Sequence, residues 1–176
     1  KICPFFICLY VNKVYICITL ITKTYFMTRI NANIPVKNLT DQHLLAEHRE
    51  IKRVCNRFNQ RLAKGEQHVH QTHDFCLGKG HEIFFIDKGM FTYLRYCELF
   101  EECDKRGFDV TSFHDCWTSY RPYKGNKFYK YHYFTESDND LIRERISTRL
   151  ADSSQVPRYY GEKITVEQAI NLINKK

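Results

Sequence analysis

The sequence predicts an all-α fold, a single compact domain of about three long helices with a long irregular connection. The chain has 176 residues, the size of one ordinary globular domain with a sizeable core. Three long segments are flanked by residues that start and stop helices, and the first carries an apolar stripe. Hydrophobic residues make up 43% and charged residues 27%, which excludes a disordered or fibrous protein.

The first long helix is predicted over residues 38–64. Asn38 or Thr40 suits its start, and Gly65 suits its end. Apolar side chains recur at helical spacing and predict one buried face, formed by Leu44, Ile51, Val54, Cys55, Phe58 and Leu62. Another side of the helix holds Gln42, Ala46, Arg49, Arg53 and Arg57.

The middle of the chain predicts a loop, a second long helix and an irregular connection. Residues 65–81 are polar, rich in His and punctuated by Gly, as loops are. The apolar run 82–86 is either a buried turn or the start of a helix. The second long helix is predicted over residues 87–106, ended by Gly107. The aromatic and basic connection, residues 108–133, follows it.

Two helices are predicted in the last third of the chain. The third long helix covers residues 137–150, with one of its first two residues as the cap. A shorter helix covers residues 166–174, because Thr165 and Gln168 form a capping-box pattern before it.

The first 26 residues differ in composition from the rest. They contain no Asp, Glu, Gly or Ala, and Asn12 and Lys13 interrupt their apolar run. This fits neither a membrane-spanning helix nor a signal peptide. Because the first Met is Met27, we expect residues 1–26 to be upstream sequence that is not part of the native protein. A membrane anchor or a cleaved leader is the alternative.

The charge of the chain favours an acidic partner. The net charge is +7 and the sequence pI is about 9.0, which makes nucleic acid a candidate. Residues 1–26 contain three lysines and no acid, so their removal lowers the net charge to +4. The positions of the basic residues, more than their number, then have to indicate the partner.

The cysteines and histidines do not form a recognisable metal pattern. The eight cysteines include no C-x-x-C pair, and we expect reduced thiols in an intracellular protein. One loop contains four side chains of types that bind zinc, His68, His70, His73 and Cys76. Their spacing fits no common zinc site, so a solvated loop is the favoured interpretation.

Five blocks carry a resemblance to a known family. In order, they are MTRIN (27–31), DQHLLAEHREIKR (41–53), FCLGKGHEIFFIDK (75–88), ECDKRGF (102–108) and RYYGEK (158–163). In this order and spacing the sequence resembles the phage-type endonuclease V family, the pyrimidine dimer DNA glycosylases. The resemblance assigns residues 27–163 to a glycosylase domain and leaves 164–176 as a C-terminal helical extension.

The resemblance implies a DNA repair enzyme. The implied fold is all-α, with an N-terminal segment that runs between helices. The implied substrate is duplex DNA with a cyclobutane pyrimidine dimer, and the activities are glycosylase and AP lyase, without metal or organic cofactor. Carried over by position, Thr28 supplies an N-terminal amine and Glu50 the acid/base carboxylate. The positions implied to line the DNA site are Arg29, Gln42, His43, Arg49 and Arg53.

The chemistry of an N-terminal amine suits this reaction. An amine that attacks the sugar carbon forms an imine, and only the unprotonated nitrogen can attack. The reference pKa of an α-amine, about 7.7–8.0, leaves far more free base at pH 7 than the value of about 10.4 for Lys. Glu50 can then stabilise charge on the sugar, accept the C2′ proton for β-elimination or shuttle protons.

Further DNA contacts are expected in the connection and the tail. Basic and aromatic side chains alternate there and suit phosphates and exposed bases, including Tyr120, Arg121, Tyr123, Lys124, Lys127, Phe128, Tyr129, Lys130 and Tyr131. Tyr159 and Tyr160 in the tail are expected to contact the lesion. The resemblance also implies a kinked duplex with the base opposite the lesion extruded. For His81, a structural hydrogen bond and a role in the site are both open.

Two other functions remain open. One is a non-catalytic DNA-binding relative, against which the presence of both Thr28 and Glu50 argues. The other is a membrane-tethered protein, if residues 1–26 are genuine, because Thr28 then has no free amine. We expect a monomer in the cytoplasm or nucleus of a host cell, with a viral origin as one alternative.

Overall fold

The structure is a computed structural model that describes residues 7–11, 14–18, 30–69, 74–125 and 127–175. Helices dominate it, and the predicted all-α fold is confirmed. The described ranges contain five α-helices: α1 (Asp41–Leu62), α2 (Lys79–Phe85), α3 (Gly89–Lys105), α4 (Glu136–Asp152) and α5 (Val166–Asn174). The three long ones, α1, α3 and α4, correspond to the three long helices of the prediction.

Short elements connect these helices. Three 3-10 helices cover Val36–Asn38, Glu66–His68 and His114–Tyr123. Strands β1 (Ile7–Val11) and β2 (Val14–Ile18) pair antiparallel, as do β3 (Arg158–Tyr159) and β4 (Glu162–Lys163). Neither hairpin was predicted, and the first lies within the residues expected to be upstream sequence. Among the described ranges, none of the helices has the length and apolar content needed to cross a membrane.

Helix α1 forms where its stripe and its cap predict it. The Thr40 hydroxyl accepts a hydrogen bond from the backbone N–H of His43 and so caps the helix. The other candidate, Asn38, lies in a 3-10 turn, and its side chain donates to the carbonyl of Lys175 at 3.1 Å. The stripe is buried from Leu44 to Phe58, whereas Leu62 is half-buried at the end of the helix.

The connection after α3 is more ordered than predicted. It contains the ten-residue 3-10 helix His114–Tyr123, which packs against both α1 and α3. The ring of Tyr120 stacks on Phe58 with centroids 3.9 Å apart, and its hydroxyl donates to the carbonyl of Ile86 at 2.8 Å. Phe128 packs edge-on against the same Phe58 ring. The expectation that Tyr120 and Phe128 face DNA is therefore wrong, because both rings complete the core.

Helices α4 and α5 both begin with a capping box, and only that of α5 was predicted. Helix α4 is capped by Thr135, which forms a capping box with Asp138. The prediction that Ser137 or Asp138 caps this helix was wrong. Helix α4 begins at Glu136, and the Thr135 side chain before it accepts a hydrogen bond from a free N–H group of the first turn. Helix α5 has the predicted capping box of Thr165 and Gln168, and it packs against α4.

Candidate active site

The N-terminal segment is bound to α1 through Glu47. The backbone N–H of Asn31 donates to Glu47 Oε1 at 3.0 Å, and its side-chain Nδ2 donates to Oε2 at 2.7 Å. Arg95 of α3 donates to the same carboxylate from Nε at 2.8 Å and from Nη2 at 3.0 Å. Both charged side chains are buried, and four hydrogen bonds therefore compensate the desolvation of Glu47.

The backbone on either side of Asn31 is held by other helices. The carbonyl of Ile30 accepts from His81 Nε2 of α2 at 3.0 Å and from Arg145 Nη2 of α4 at 3.2 Å. The carbonyl of Ile34 accepts from Arg95 at 2.8 Å. Residues 30–34 thus run between helices, as predicted, and α1, α2, α3 and α4 all contact them. Thr28 and Arg29, the first two residues implied for the site, lie outside the described residues.

Glu50 lies three residues after Glu47 on α1, on the neighbouring face of the helix. Its side chain and that of Arg53 are half-buried, and Arg49 is exposed, with Nε donating to the carbonyl of Leu45 at 3.3 Å. The structure thus places one carboxylate among arginines on the α1 surface, close to the point where the N-terminal segment reaches the helix.

Gln42 joins α1 to the tail of the chain. Its Nε2 donates to the carbonyl of Val156 at 2.9 Å, and its Oε1 accepts from the backbone N–H of Arg158 at 3.0 Å. With both ends of the amide bonded to backbone, Gln42 and the neighbouring Gln155 form a ridge between two surface cavities.

The smaller cavity, here called the α4 cavity, has a volume of about 250 Å³. His43 of α1, Arg149 of α4 and Gln155 of the tail contribute to its walls. The Nδ1 atom of His43 lies 2.8 Å from the Thr40 hydroxyl, which orients the ring. Gln42 and His43, which the sequence predicted for one site, are thus brought together with an α4 arginine.

The larger cavity, here called the His48 cavity, has a volume of about 470 Å³. Gln42, Arg49 and Phe113 contribute to its walls, together with His48. The His48 ring stacks on Phe113 with centroids 5.1 Å apart, and neither ring nitrogen has a hydrogen-bond partner among the described residues. Burial, then the charges of Lys52 and Arg49, lower the pKa of His48, so the ring is neutral at pH 7.

Lys124 and Lys127 occupy a different part of the surface. Lys124 and Arg121 line a cleft of about 150 Å³ together with Trp117 and Tyr93, here called the Trp117 cleft. In the described part of the chain, neither cation has an ion-pair partner and no acidic residue lines the cleft. Lys127, in contrast, is paired with Glu66, which also accepts the hydroxyl of Tyr123.

The two tail tyrosines contact the protein itself. The Tyr159 hydroxyl donates to the carbonyl of Lys37 at 3.0 Å, and that of Tyr160 donates to Glu102 at 2.9 Å. The guanidinium of Arg106 lies over both rings and donates to Asp41 at 2.8 Å. These contacts fix the tail beside the start of α1.

Within the described ranges, no group of three or more His, Cys, Asp or Glu side chains is placed to hold a metal ion. Of the four side chains weighed for zinc, His70 and His73 lie outside the described residues. Five cysteines of the helical part of the chain are free thiols, namely Cys55, Cys76, Cys97, Cys103 and Cys116.

A helical domain that presents a carboxylate, several arginines and basic cavities on one helix face has the features of a small enzyme that acts on DNA. A family model described as pyrimidine dimer DNA glycosylase matches residues 27–115 of the chain. The chain belongs to this family of DNA repair enzymes, which act on pyrimidine dimers in damaged DNA. The match contains the N-terminal segment and helices α1, α2 and α3.

Three residues of these surfaces were not predicted for the site. Arg145 and Arg149 lie four residues apart on α4 and therefore on one face, a signal that the spacing alone provides. One of them contacts the N-terminal segment and the other lines the α4 cavity. His48 lies inside a block that resembles the family, but its burial against Phe113 depends on a residue 65 positions later and was not visible locally.

Proposed function

We propose that the protein excises cyclobutane pyrimidine dimers through an imine formed by the N-terminal amine of Thr28, with Glu50 as the acid/base, and then cleaves the strand as an AP lyase. The observation that carries the proposal is the double hydrogen bond of Asn31 to Glu47. It anchors the segment that leads to Thr28 one helical turn from Glu50. A single chain supplies all these groups, so a monomer suffices.

Chain geometry keeps the two proposed groups within reach of each other. An extended chain spans at most about 3.5 Å per residue, so an amine at Thr28 lies within about 10 Å of the Asn31 backbone. Glu50 follows Glu47 by three residues, a rise of about 4.5 Å along the helix. The proposal requires the active chain to begin at Thr28, because a peptide bond there removes the nucleophile.

The reaction then proceeds by covalent catalysis. The amine attacks C1′ of the damaged nucleoside, the glycosidic bond breaks, and the base leaves with the electron pair. Opening of the sugar ring gives the imine. Glu50 accepts a C2′ proton, the C3′–O bond breaks, and the 3′ phosphate leaves by β-elimination. Hydrolysis by water releases the amine.

Arginines around Glu50 are proposed to hold the DNA backbone. Arg49 and Arg53 of α1, with Arg29 upstream, fit phosphates on either side of the lesion. The α4 cavity adds His43 and Arg149 to this surface. Positive charge near the amine also disfavours its ammonium form, which raises the fraction of free base.

The His48 cavity is proposed to receive the base extruded from the kinked duplex. Its volume exceeds that of one nucleobase, Phe113 and His48 offer an aromatic wall, and Gln42 lies at its edge. Burial and the neighbouring cations lower the pKa of His48, so its ring adds no positive charge to this wall at pH 7. Base flipping of this kind is the general solution for enzymes that act on a paired nucleotide.

The basic connection and the tail are proposed to support DNA binding away from the reacting sugar. Lys124, with Arg121, is proposed to contact phosphates away from the lesion, because both cations are exposed. Lys127 contributes less, since Glu66 already pairs with it. Tyr159 and Tyr160 are proposed to hold the tail beside Gln42. The tail in turn holds Gln42 in place between the two cavities.

Borohydride trapping tests the proposal. A polypeptide that begins at Thr28 is incubated with dimer-containing or abasic duplex DNA and sodium borohydride, and a covalent adduct is expected on a denaturing gel. The matched control is the same polypeptide with an acetylated N-terminus, which is expected to form no adduct. The proposal fails if the free chain forms no adduct and does not nick the DNA, or if the acetylated chain reacts equally well.

A further inference from the structure

The side chain of His81 lies between two backbone carbonyls. Its Nε2 is 3.0 Å from the oxygen of Ile30, and its Nδ1 is 3.1 Å from the oxygen of Cys76. The ring is fully buried, with the rings of Phe75 and Phe85 packed edge-on at centroid distances of 5.4 and 5.1 Å. This packing leaves the imidazole no room to turn away from the two oxygens.

A neutral imidazole can satisfy only one of these two acceptors. Burial, and then the charge of Arg145, lower the pKa of His81 to about 4, despite the opposing effect of the two carbonyls. At neutral pH the ring therefore has a single N–H, and the second nitrogen presents a lone pair. The choice between the two nitrogens decides whether His81 holds the loop at Cys76 or the segment at Ile30.

We propose that His81 is a positioning residue that donates from Nε2 to the carbonyl of Ile30 and so holds the N-terminal segment beside Glu47 of α1. The proposal rests on the function proposed above, because Ile30 matters to the reaction through the amine two residues upstream. His81 contacts no reacting atom. It acts through the direction in which the chain leaves Ile30.

The other contacts at Ile30 explain why this donor is needed. Arg145 also donates to the Ile30 carbonyl, but at 3.2 Å and from a half-buried side chain that divides its donors between Ile30 and Asn31. Asn31 fixes the backbone downstream through Glu47. His81 is thus a fully buried donor to the described residue that lies closest in sequence to the proposed nucleophile, and a displacement of about 1 Å at such a point can lower a rate about 100-fold.

Two amide substitutions separate the contacts of the ring. In His81→Gln the side-chain Nε2 takes the place of the imidazole Nε2 and can still donate to Ile30. In His81→Asn the Nδ2 takes the place of Nδ1 and reaches only Cys76. The two variants are similar in polarity and differ mainly in which carbonyl they reach.

The readout is the single-turnover rate of adduct formation with abasic duplex DNA, measured beside the DNA dissociation constant. We expect His81→Gln to react within about 3-fold of the wild type and His81→Asn to be slower by about 10-fold or more, both with unchanged DNA affinity. Equal rates for the two variants, or a slower Gln variant, would overturn the proposal. If His81→Asn does not fold, His81→Phe replaces it, since Phe retains the packing and removes both donors.

Amide hydrogen exchange keeps the test independent of catalysis. The N–H of Asn31 is protected by its bond to Glu47, and we expect faster exchange there in His81→Asn than in His81→Gln. If the wild type forms no adduct, the proposed imine mechanism fails, while a difference in exchange at Asn31 still supports the His81 contact. Identical exchange in both variants refutes the contact, whatever the activity.

Discussion

Glu47 and Arg95 form a buried ion pair at 2.8 Å between α1 and α3, and the same carboxylate receives both nitrogens of Asn31. The pair therefore joins two core helices to the segment that leads to the proposed nucleophile. The buried carboxylate of Glu47 thus holds both the helix core and the N-terminal segment, and substitutions of Glu47 affect stability first.

Replacing Glu47 by Ala is expected to destabilise the protein strongly. It leaves the buried guanidinium of Arg95 uncompensated, a change that typically lowers the free energy of unfolding by about 3–5 kcal/mol. The partly exposed pair of Arg57 and Glu82 is the control, and Glu82→Ala should lower the free energy of unfolding by only about 1 kcal/mol. Urea denaturation measures both values. Similar losses for the two variants would contradict the importance of the buried pair.

Glu50→Gln is expected to abolish base release while leaving much of the DNA affinity. The amide cannot exchange a proton with the sugar, and loss of an acid/base group typically lowers a rate about 100- to 10,000-fold. Glu101→Gln removes an exposed carboxylate on α3 and serves as the control. Strand nicking measures release of the dimer, and fluorescence anisotropy measures the DNA affinity. Unchanged turnover in Glu50→Gln would refute its proposed role.

Acid is expected to destabilise the fold through His81. Its pKa is about 4 in the folded chain against 6.5 as the ordinary value, so between these values the unfolded chain binds more protons. The contribution of His81 to the free energy of unfolding is therefore fully present above pH 6.5. It falls by up to about 3 kcal/mol as the pH is lowered towards about 4. The pKa values of His48 and His132 are also lowered and act in the same direction.

The variant His81→Gln isolates this contribution. Urea denaturation at several pH values should show a flatter dependence between pH 6.5 and 4 in the variant than in the wild type. The proposal that His81 is neutral in the folded chain is wrong if the two pH dependences coincide.

The double substitution Arg121→Ala, Lys124→Ala is expected to weaken DNA binding without changing adduct formation at saturating DNA. Loss of two phosphate contacts should reduce the slope of log affinity against log salt by about 2. Lys127→Ala is the control and should change it less, because Glu66 already pairs with Lys127. Trp117, the single tryptophan, lines this cleft, and its fluorescence should respond to DNA in the wild type. An unchanged salt slope excludes the Trp117 cleft as a DNA contact.

Local sequence determined the helices. The stripe from Leu44 to Phe58 and the capping box of Thr165 and Gln168 appear where they were predicted, because helical hydrogen bonds and caps join residues at most four apart. The motif that carries the family resemblance is continuous, and the structure places its Glu50, Arg49 and Arg53 on α1; their roles in the reaction stay a proposal. The prediction that Tyr120 faces DNA was wrong, because composition alone does not distinguish a DNA-facing aromatic ring in a basic stretch from a core residue.

Only the tertiary structure decided what holds the N-terminal segment. Asn31 meets Glu47 across 16 positions, His81 meets Ile30 across 51, and Arg145 meets Ile30 across 115. No periodicity encodes such pairs, because they form only after the hydrophobic faces of four helices have packed and fixed the relative positions of these elements. The sequence thus determined which residue types stand on each helix, and the packing decided which of them meet at the segment that leads to the amine.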